Sequence, residues 1–414
     1  MSWPSDPGRH AFLALGDRPH PARPMAYTVL ARRYRSQSFA AVVGQEPVAN
    51  TLLNAVKTDR VAHAYLFCGT RGVGKTSMAR LVARALNAPA SLPENPAPEG
   101  VEFPEKDVQD RMAEAIMRGD DLNVIEIDGA SNNRVEEARQ LIANAGLAPT
   151  GNARFKVYII DEVHMLSTAA FNALLKTMEE PPEHVKFVLC TTEPHKVPAT
   201  IQSRCQRFDF RDIPTARIAE HLADVVKGEK VGCDDAVIYE VARLGRGSMR
   251  DALSLLDRLL ATGDDPVTMS TVEQVFGLPD VTLIDKMVDA IGSADPKATL
   301  EASAELMGKG TGPELVCEVL IERLRQLMLI SACGEDSELV EAADERRKTL
   351  AEQAGRFTTQ GLVYLIAVVE SAQRAVKSSG NDRALLDAAL VRLATADALA
   401  EVAGLVGANG QKKN

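Results

Sequence analysis

Between residues 25 and 210, short apolar runs alternate with segments of helical period. The runs are Ala64–Cys68, Val124–Ile127, Val157–Ile160 and Phe187–Cys190. Each is bounded by turn or charged residues, the pattern of a strand covered on both faces. Between them, Ser77–Leu86 and Val135–Ala145 repeat apolar residues at three- and four-residue spacing. Strands alternating with amphipathic helices predict a parallel sheet with helical crossovers, an α/β domain. One interval breaks the rhythm. Ala88 to Pro104 carries Pro89, Pro93, Pro96, Pro98 and Pro104 and predicts a surface loop.

After Arg211 the strand signals fade. Ile218–Val226, Asp234–Arg243, Met249–Leu260 and Thr271–Phe276 read as helices, punctuated by Pro266 and Pro279. From about Val281 to Val406 nearly every segment has helical period, as in Glu314–Ile330 and Arg383–Val402. The expected organisation is therefore an irregular leader at 1–24, an α/β domain at 25–210, a small helical domain at 211–278, an all-α domain at 279–406 and a tail at 407–414.

Composition narrows the function classes. The chain has 414 residues, 47 basic and 57 acidic side chains, and a formal charge of −10. The longest apolar run, Leu362 to Val369, is far short of the ~20 residues a spanning helix needs. No membrane role is expected. The acidic balance argues against coating nucleic acid by bulk charge, although a local basic patch remains compatible with it. Six scattered cysteines, without CxxC or a Cys/His cluster, do not form a secreted disulfide framework, so a reducing, cytoplasmic setting fits.

Gly69-Thr70-Arg71-Gly72-Val73-Gly74-Lys75-Thr76 matches the full phosphate-loop pattern, followed by Ser77. It follows the run Ala64–Cys68 and opens Ser77–Leu86, the strand–loop–helix context in which backbone N–H groups and a helix N-terminus face phosphates. Lys75 would reach the β- and γ-phosphates of ATP, and the Thr76 hydroxyl would ligate Mg²⁺. Val157-Tyr158-Ile159-Ile160-Asp161-Glu162 ends an apolar strand in two carboxylates, at the sheet edge where open α/β folds bind ligands. Asp161 would join Thr76 at the metal, and Glu162 would polarise the attacking water. Residue types alone leave four further positions open. Thr191 and Thr192 either end a β-branched strand or orient water. Arg204, in Ser203-Arg204-Cys205, is either solvated or functional. Arg250, near a helix start, is a surface cation or has an anionic partner.

These motifs, with Tyr27–Arg35, Phe39–Glu46, His63–Phe67, Ile125–Asp128, Arg154–Leu166, Phe171–Phe187 and Gly247–Leu255, make the chain closely similar to the AAA+ ATPase family that includes the γ and τ subunits of the bacterial DNA polymerase III clamp loader. The resemblance implies roles that spacing leaves open. Thr192 would be the sensor-1 residue and Arg250 the sensor-2 residue reaching the γ-phosphate from the small helical domain at 211–278, which would be a lid, while the helices at 279–406 would form an oligomerisation collar. Arg204 would be an arginine finger donated to a neighbouring subunit, and Arg35 would help line the nucleotide pocket with Val42–Gln45. Lys176 and Ser131–Arg134 would face a central chamber that duplex DNA enters. Implied partners are loader subunits of the δ and δ′ types, copies of this chain, the sliding clamp and primer–template DNA.

One departure stands out. Relatives insert a four-cysteine zinc module after the phosphate-loop helix, whereas here Ala88 to Leu122 contains neither cysteine nor histidine. No zinc site is expected, since a structural zinc needs thiolate or imidazole ligands. The reading is of an ATPase of the loader, in the short form without the τ extension, associated with the nucleoid through the replisome. It is part of a holoenzyme classed as a DNA-directed DNA polymerase, with no polymerase site in this chain. The alternatives weighed are a branch-migration helicase, which normally adds a basic winged helix, and a nucleotide-locked structural subunit, which would lack Lys75 or the Asp161–Glu162 pair.

Overall fold

The computed structural model describes residues 28–94, 103–131, 145–335, 337, 339–340, 344–378 and 381–396. The expected leader and tail lie outside them, as do Asn132, Asn133 and Arg134 and nearly all of Val135–Ala145.

The apolar runs form the strands β1 Ala64–Cys68, β2 Val124–Asp128, β3 Lys156–Asp161 and β4 Val185–Thr191, and a fifth, β5 Gln206–Asp209, completes the sheet. All pairings are parallel, in the order β2-β3-β4-β1-β5. The fifth strand escapes the periodicity because it is an edge strand: Gln206, Arg207 and Asp209 are exposed, so no apolar run marks it. It is held by its register with β1, Tyr65 opposite Gln206 and Cys68 opposite Asp209.

Alternation along each strand divides the core between two faces. Tyr65, Phe67, Val157, Ile159, Val188 and Cys190 pack against α1 Glu46–Lys57 and α2 Lys75–Asn87. Ala64, Leu66, Tyr158, Ile160, Phe187 and Leu189 pack on the other side against α3 Thr168–Glu179, started by its Ser167 N-cap. With both faces covered, the strands carry no polar alternation, which is why they read as continuous apolar runs.

The proline-rich interval departs from expectation at its start. Ala88, Pro89 and Leu92 are buried, and Pro89–Ser91 form a 3-10 turn. The Arg84 guanidinium ties this turn down through the Ser91 hydroxyl and carbonyl at 2.9 and 2.8 Å, so the segment is folded onto the helix rather than left at the surface.

Beyond the sheet, α4 Thr215–Glu229, α5 Asp235–Leu244, α6 Met249–Leu260 and α7 Met269–Phe276 build a small helical core of their own, into which Leu30 also packs. The helices from α8 Val281–Gly292 onward, including α9 Pro313–Cys333 and α10 Thr359–Ser378, share a separate core. Among the described residues no helix is long and apolar enough to cross a membrane. The architecture is the expected one: a parallel sheet flanked by helices, a small helical lid, and an all-α C-terminal region.

Candidate nucleotide site

Strand β1 delivers the chain to Gly69 at the carboxyl edge of the sheet, and α2 starts at Lys75. The intervening loop must turn sharply. Gly74 caps the helix at φ 101°, a left-handed conformation that glycine adopts without steric cost. Gly72, at φ 80°, lies so close to the lid that a Cβ there would fall 1.9 Å from Ser248 Oγ. Lys75 is only 6% exposed, and its ammonium donates to the Gly69 and Thr70 carbonyls, each at 2.7 Å. Burial pushes its pKa below the ordinary lysine value, against the pull of Cys190, Glu162 and Asp161.

The strand register carries β3 and β4 to the same edge. Asp128 is opposite Asp161, and Cys68 is opposite Thr191. The Thr76 hydroxyl donates to Asp161 Oδ2 at 2.9 Å. Glu162 adopts the left-handed region at φ 44°, uncommon for a side chain with a Cβ. Gly129 makes room for this turn, since a Cβ there would lie 2.6 Å from the Glu162 carbonyl. Thr192 donates to Glu162 Oε2 from its hydroxyl at 2.9 Å and from its backbone N–H at 3.3 Å.

A cleft of about 570 Å³ opens between this edge and the lid. Arg71, Gly72, Val73, Gly74, Lys75, Thr76 and Ser77 line it, as do Asp161, Glu162, Arg35, Val42, Val43 and Arg250. Arg35 is half-buried, and desolvation, followed by the charge of Arg80, lowers its pKa to about 10. Arg250 reaches the cleft from the first turn of α6, where its N–H lies 3.4 Å from the Gly72 carbonyl. Gly69 and Thr70 stand behind the cleft: Gly69 abuts Phe210, and the Thr70 hydroxyl donates to Asp212 at 2.5 Å.

Two expected residues lie elsewhere. Arg204 does not line the cleft; it donates to Thr200 O at 2.8 Å and to Glu179 at 3.0 Å, at the far end of α3. Lys176 is exposed on the same helix. Sequence reasoning did not single out His221, Leu253, Ile213 or Glu126, all of which line the cleft. Glu126 alone left a signal, as a carboxylate inside an otherwise apolar strand run. Arg80 holds it, with Nε 2.8 Å from Oε2. The others come from the lid and the segment leading into it, and carry no mark of their role.

The oxygens of Thr76 and Asp161 suit a hard cation. Mg²⁺ binds through one or two such groups and completes its shell with phosphates and water. A cleft of this size, lined by the glycine-rich loop at the start of a helix and by one buried ammonium, fits a nucleoside triphosphate. Among the described residues, no group of three or more His, Cys, Asp or Glu side chains is assembled as a metal centre.

Three family models match successive parts of the chain. Residues 44–214 match the DNA polymerase III delta subunit, 217–265 the ATPase lid domain of the DNA polymerase III clamp loader subunit, and 267–406 domain III of DNA polymerase III subunits gamma and tau. The DNA polymerase III subunit tau/gamma of Haemophilus influenzae is 36% identical over 368 residues, 89% of this chain and 51% of that protein. DNA polymerase III subunit gamma of Buchnera aphidicola is 39% identical over 307 residues, 74% of this chain and 81% of that protein. Against the longer tau/gamma relative, the chain spans about half the length. The solved RuvB branch migration motor of Thermotoga maritima, at 19% identity, covers 62% of this chain and 79% of that chain with a TM-score of 0.43, too slight a likeness to argue from. With the Buchnera protein matched over most of its length, the chain belongs to the gamma/tau family of DNA polymerase III subunits.

Proposed function

We propose that this chain is an ATP-hydrolysing clamp-loader subunit that uses ATP binding and hydrolysis to place a sliding clamp on primed DNA. The observation that carries the reading is the convergence of Lys75, Thr76, Asp161 and Glu162 on one cleft roofed by Arg250. ATP is the substrate. Lys75 and the N–H groups of the phosphate loop bind its phosphates, Thr76 and Asp161 hold the Mg²⁺, and Arg35 walls the pocket. The metal, when bound, neutralises phosphate charge.

Glu162 accepts a hydrogen bond from the attacking water, and Thr192 fixes the carboxylate by two hydrogen bonds. Arg250 reads the γ-phosphate from the lid, so nucleotide binding draws the lid onto the loop. Arg204, directed away from its own cleft, serves the site of a neighbouring subunit, where a guanidinium stabilises the charge of the transferring phosphoryl group. Hydrolysis thereby depends on assembly with copies of this chain and with δ- and δ′-type subunits through the C-terminal helices. The clamp and primer–template DNA are the loads, Lys176 faces the DNA, and the setting is the cytoplasm, at the replisome. No zinc is required by this reading.

The test is ATP hydrolysis by the assembled loader with clamp and primed DNA. Lys75→Ala should abolish the contribution of this subunit; DNA-stimulated turnover at the wild-type level would refute the reading. Metal analysis of the purified chain should find less than stoichiometric zinc, and one zinc per chain would overturn that part.

A further inference from the structure

Behind Glu162 lies a side chain that the roles above do not use. His164 sits in the 3-10 turn Val163–Met165, with its side chain only 6% exposed. Its Nδ1 is 3.0 Å from Thr191 Oγ1 and 3.4 Å from Glu162 Oε2. Thr191, the last residue of β4, is fully buried, and its hydroxyl oxygen accepts from the Glu193 N–H at 3.0 Å.

The tautomer follows from this network. A bare Nδ1 lone pair would face a carboxylate oxygen at 3.4 Å, which is repulsive, whereas an Nδ1–H is attracted to both that oxygen and Thr191 Oγ1. Nδ1 therefore carries the hydrogen. Glu162 Oε2 then faces three donors: the Thr192 hydroxyl, the Thr192 N–H and His164. Every described contact to this carboxylate falls on Oε2, which leaves Oε1 as the oxygen with accepting capacity for water. The left-handed backbone of Glu162 adds to the need for such a clamp, because a strained position persists only where its surroundings over-determine it.

We infer that His164 is a positioning residue for Glu162: anchored on Thr191, it fixes Oε2 so that Oε1 presents to the attacking water. The inference rests on Glu162 being the water-polarising carboxylate, so the experiment examines that first.

In the full chain, assembled with its loader partners, clamp and primed DNA, Glu162→Gln should bind ATP and lose hydrolysis. His164→Phe keeps the ring volume and removes Nδ1; it should lower kcat about tenfold with KM for ATP unchanged. His164→Asn, whose amide N–H lies near the Nδ1 position, should recover most of the rate. Thr191→Val should lower kcat in the same way, and adding it to His164→Phe should cause little further loss, since both break one chain of contacts. Thermal melting identifies any variant that fails to fold, and the isosteric Thr191→Val with His164→Asn then carries the test.

Wild-type kcat in His164→Phe beside an inactive Glu162→Gln overturns the inference while the reading of Glu162 stands. A folded His164→Asn as slow as His164→Phe reduces the histidine to filler and also overturns it. Hydrolysis retained in Glu162→Gln refutes the role of Glu162 itself, and this inference with it.

Discussion

The Thr76 hydroxyl donates to Asp161 Oδ2 across 2.9 Å, although the two residues are 85 positions apart in sequence. It joins the first turn of the phosphate-loop helix to the end of β3. Two oxygens that share a hydrogen bond in this way are preorganised to share a cation. Thr76→Val should leave the fold intact, leave metal-free nucleotide binding unchanged, and lower Mg²⁺-dependent hydrolysis by about 10–100-fold. Titrating Mg²⁺ in the ATPase assay measures this; an unaltered Mg²⁺ dependence would show that the pair does not serve the metal.

Gly72 is where the phosphate loop meets the lid. Its φ of 80°, and the 1.9 Å that would separate an added Cβ from Ser248 Oγ, mean that Gly72→Ala strains the loop and pushes the lid away. A cost of about 1–3 kcal/mol is expected from the backbone strain. Nucleotide affinity should fall together with the melting temperature, by fluorescent-nucleotide titration and calorimetry. Affinity at the wild-type level would mean that the lid contact is incidental.

Arg204 pairs with Glu179 and stays out of its own cleft. Arg204→Ala should therefore bind ATP as tightly as the parent chain. In the assembled loader it should slow hydrolysis at the neighbouring site. Loaders carrying the variant at one defined position at a time locate the defect, and weakened ATP binding by the isolated variant would argue for a role in its own cleft.

In the all-α region, Asp285 accepts from both Arg346 Nη1 and Nη2, at 2.6 and 2.7 Å, and also pairs with Arg323, whose side chain is 9% exposed. Burial, then repulsion by Arg346, lowers the Arg323 pKa to about 10. Asp285→Ala leaves two guanidinium groups facing each other without a counter-charge and should destabilise this region by about 3–5 kcal/mol. Denaturant unfolding should show the loss there, with ATP affinity unchanged; a variant as stable as the parent would mean that solvent screens the cluster.

Asp280 opens α8 as its N-cap, bonded to Thr282 N at 2.9 Å and to Lys309 Nζ at 2.7 Å. The Lys309 hydrogen bond, helped by Thr282, lowers the carboxyl pKa from 3.8 to about 2. The unfolded chain takes up the proton first, so this group stabilises the fold above the ordinary pKa, and the effect is lost as pH falls toward about 2. Asp280→Asn should melt lower than the parent near neutral pH, and the difference should shrink on acidification. A difference independent of pH in that window would exclude the linkage.

The sequence by itself determined the layers and marked the residues proposed for the chemistry. A strand covered on both faces must be apolar throughout, so Ala64–Cys68 and Val157–Ile160 were legible as buried strands, and the glycine-rich loop and the Asp161–Glu162 pair at their ends followed. The helical remainder was legible for the same local reason, because period reports burial. Tertiary structure alone decided what periodicity does not encode. The exposed edge strand Gln206–Asp209 is held by pairing with β1, not by a hydrophobic pattern. The order β2-β3-β4-β1-β5 places Thr192 against Glu162, the approach of the lid places Arg250 and His221 at the cleft, and the packing of Gly129 permits the turn of Glu162. These are contacts between segments distant in the chain, set by how the closed core brings strand ends together; the motif resemblance marked Thr192 and Arg250, but nothing in the sequence around His221 or Gly129 points to them.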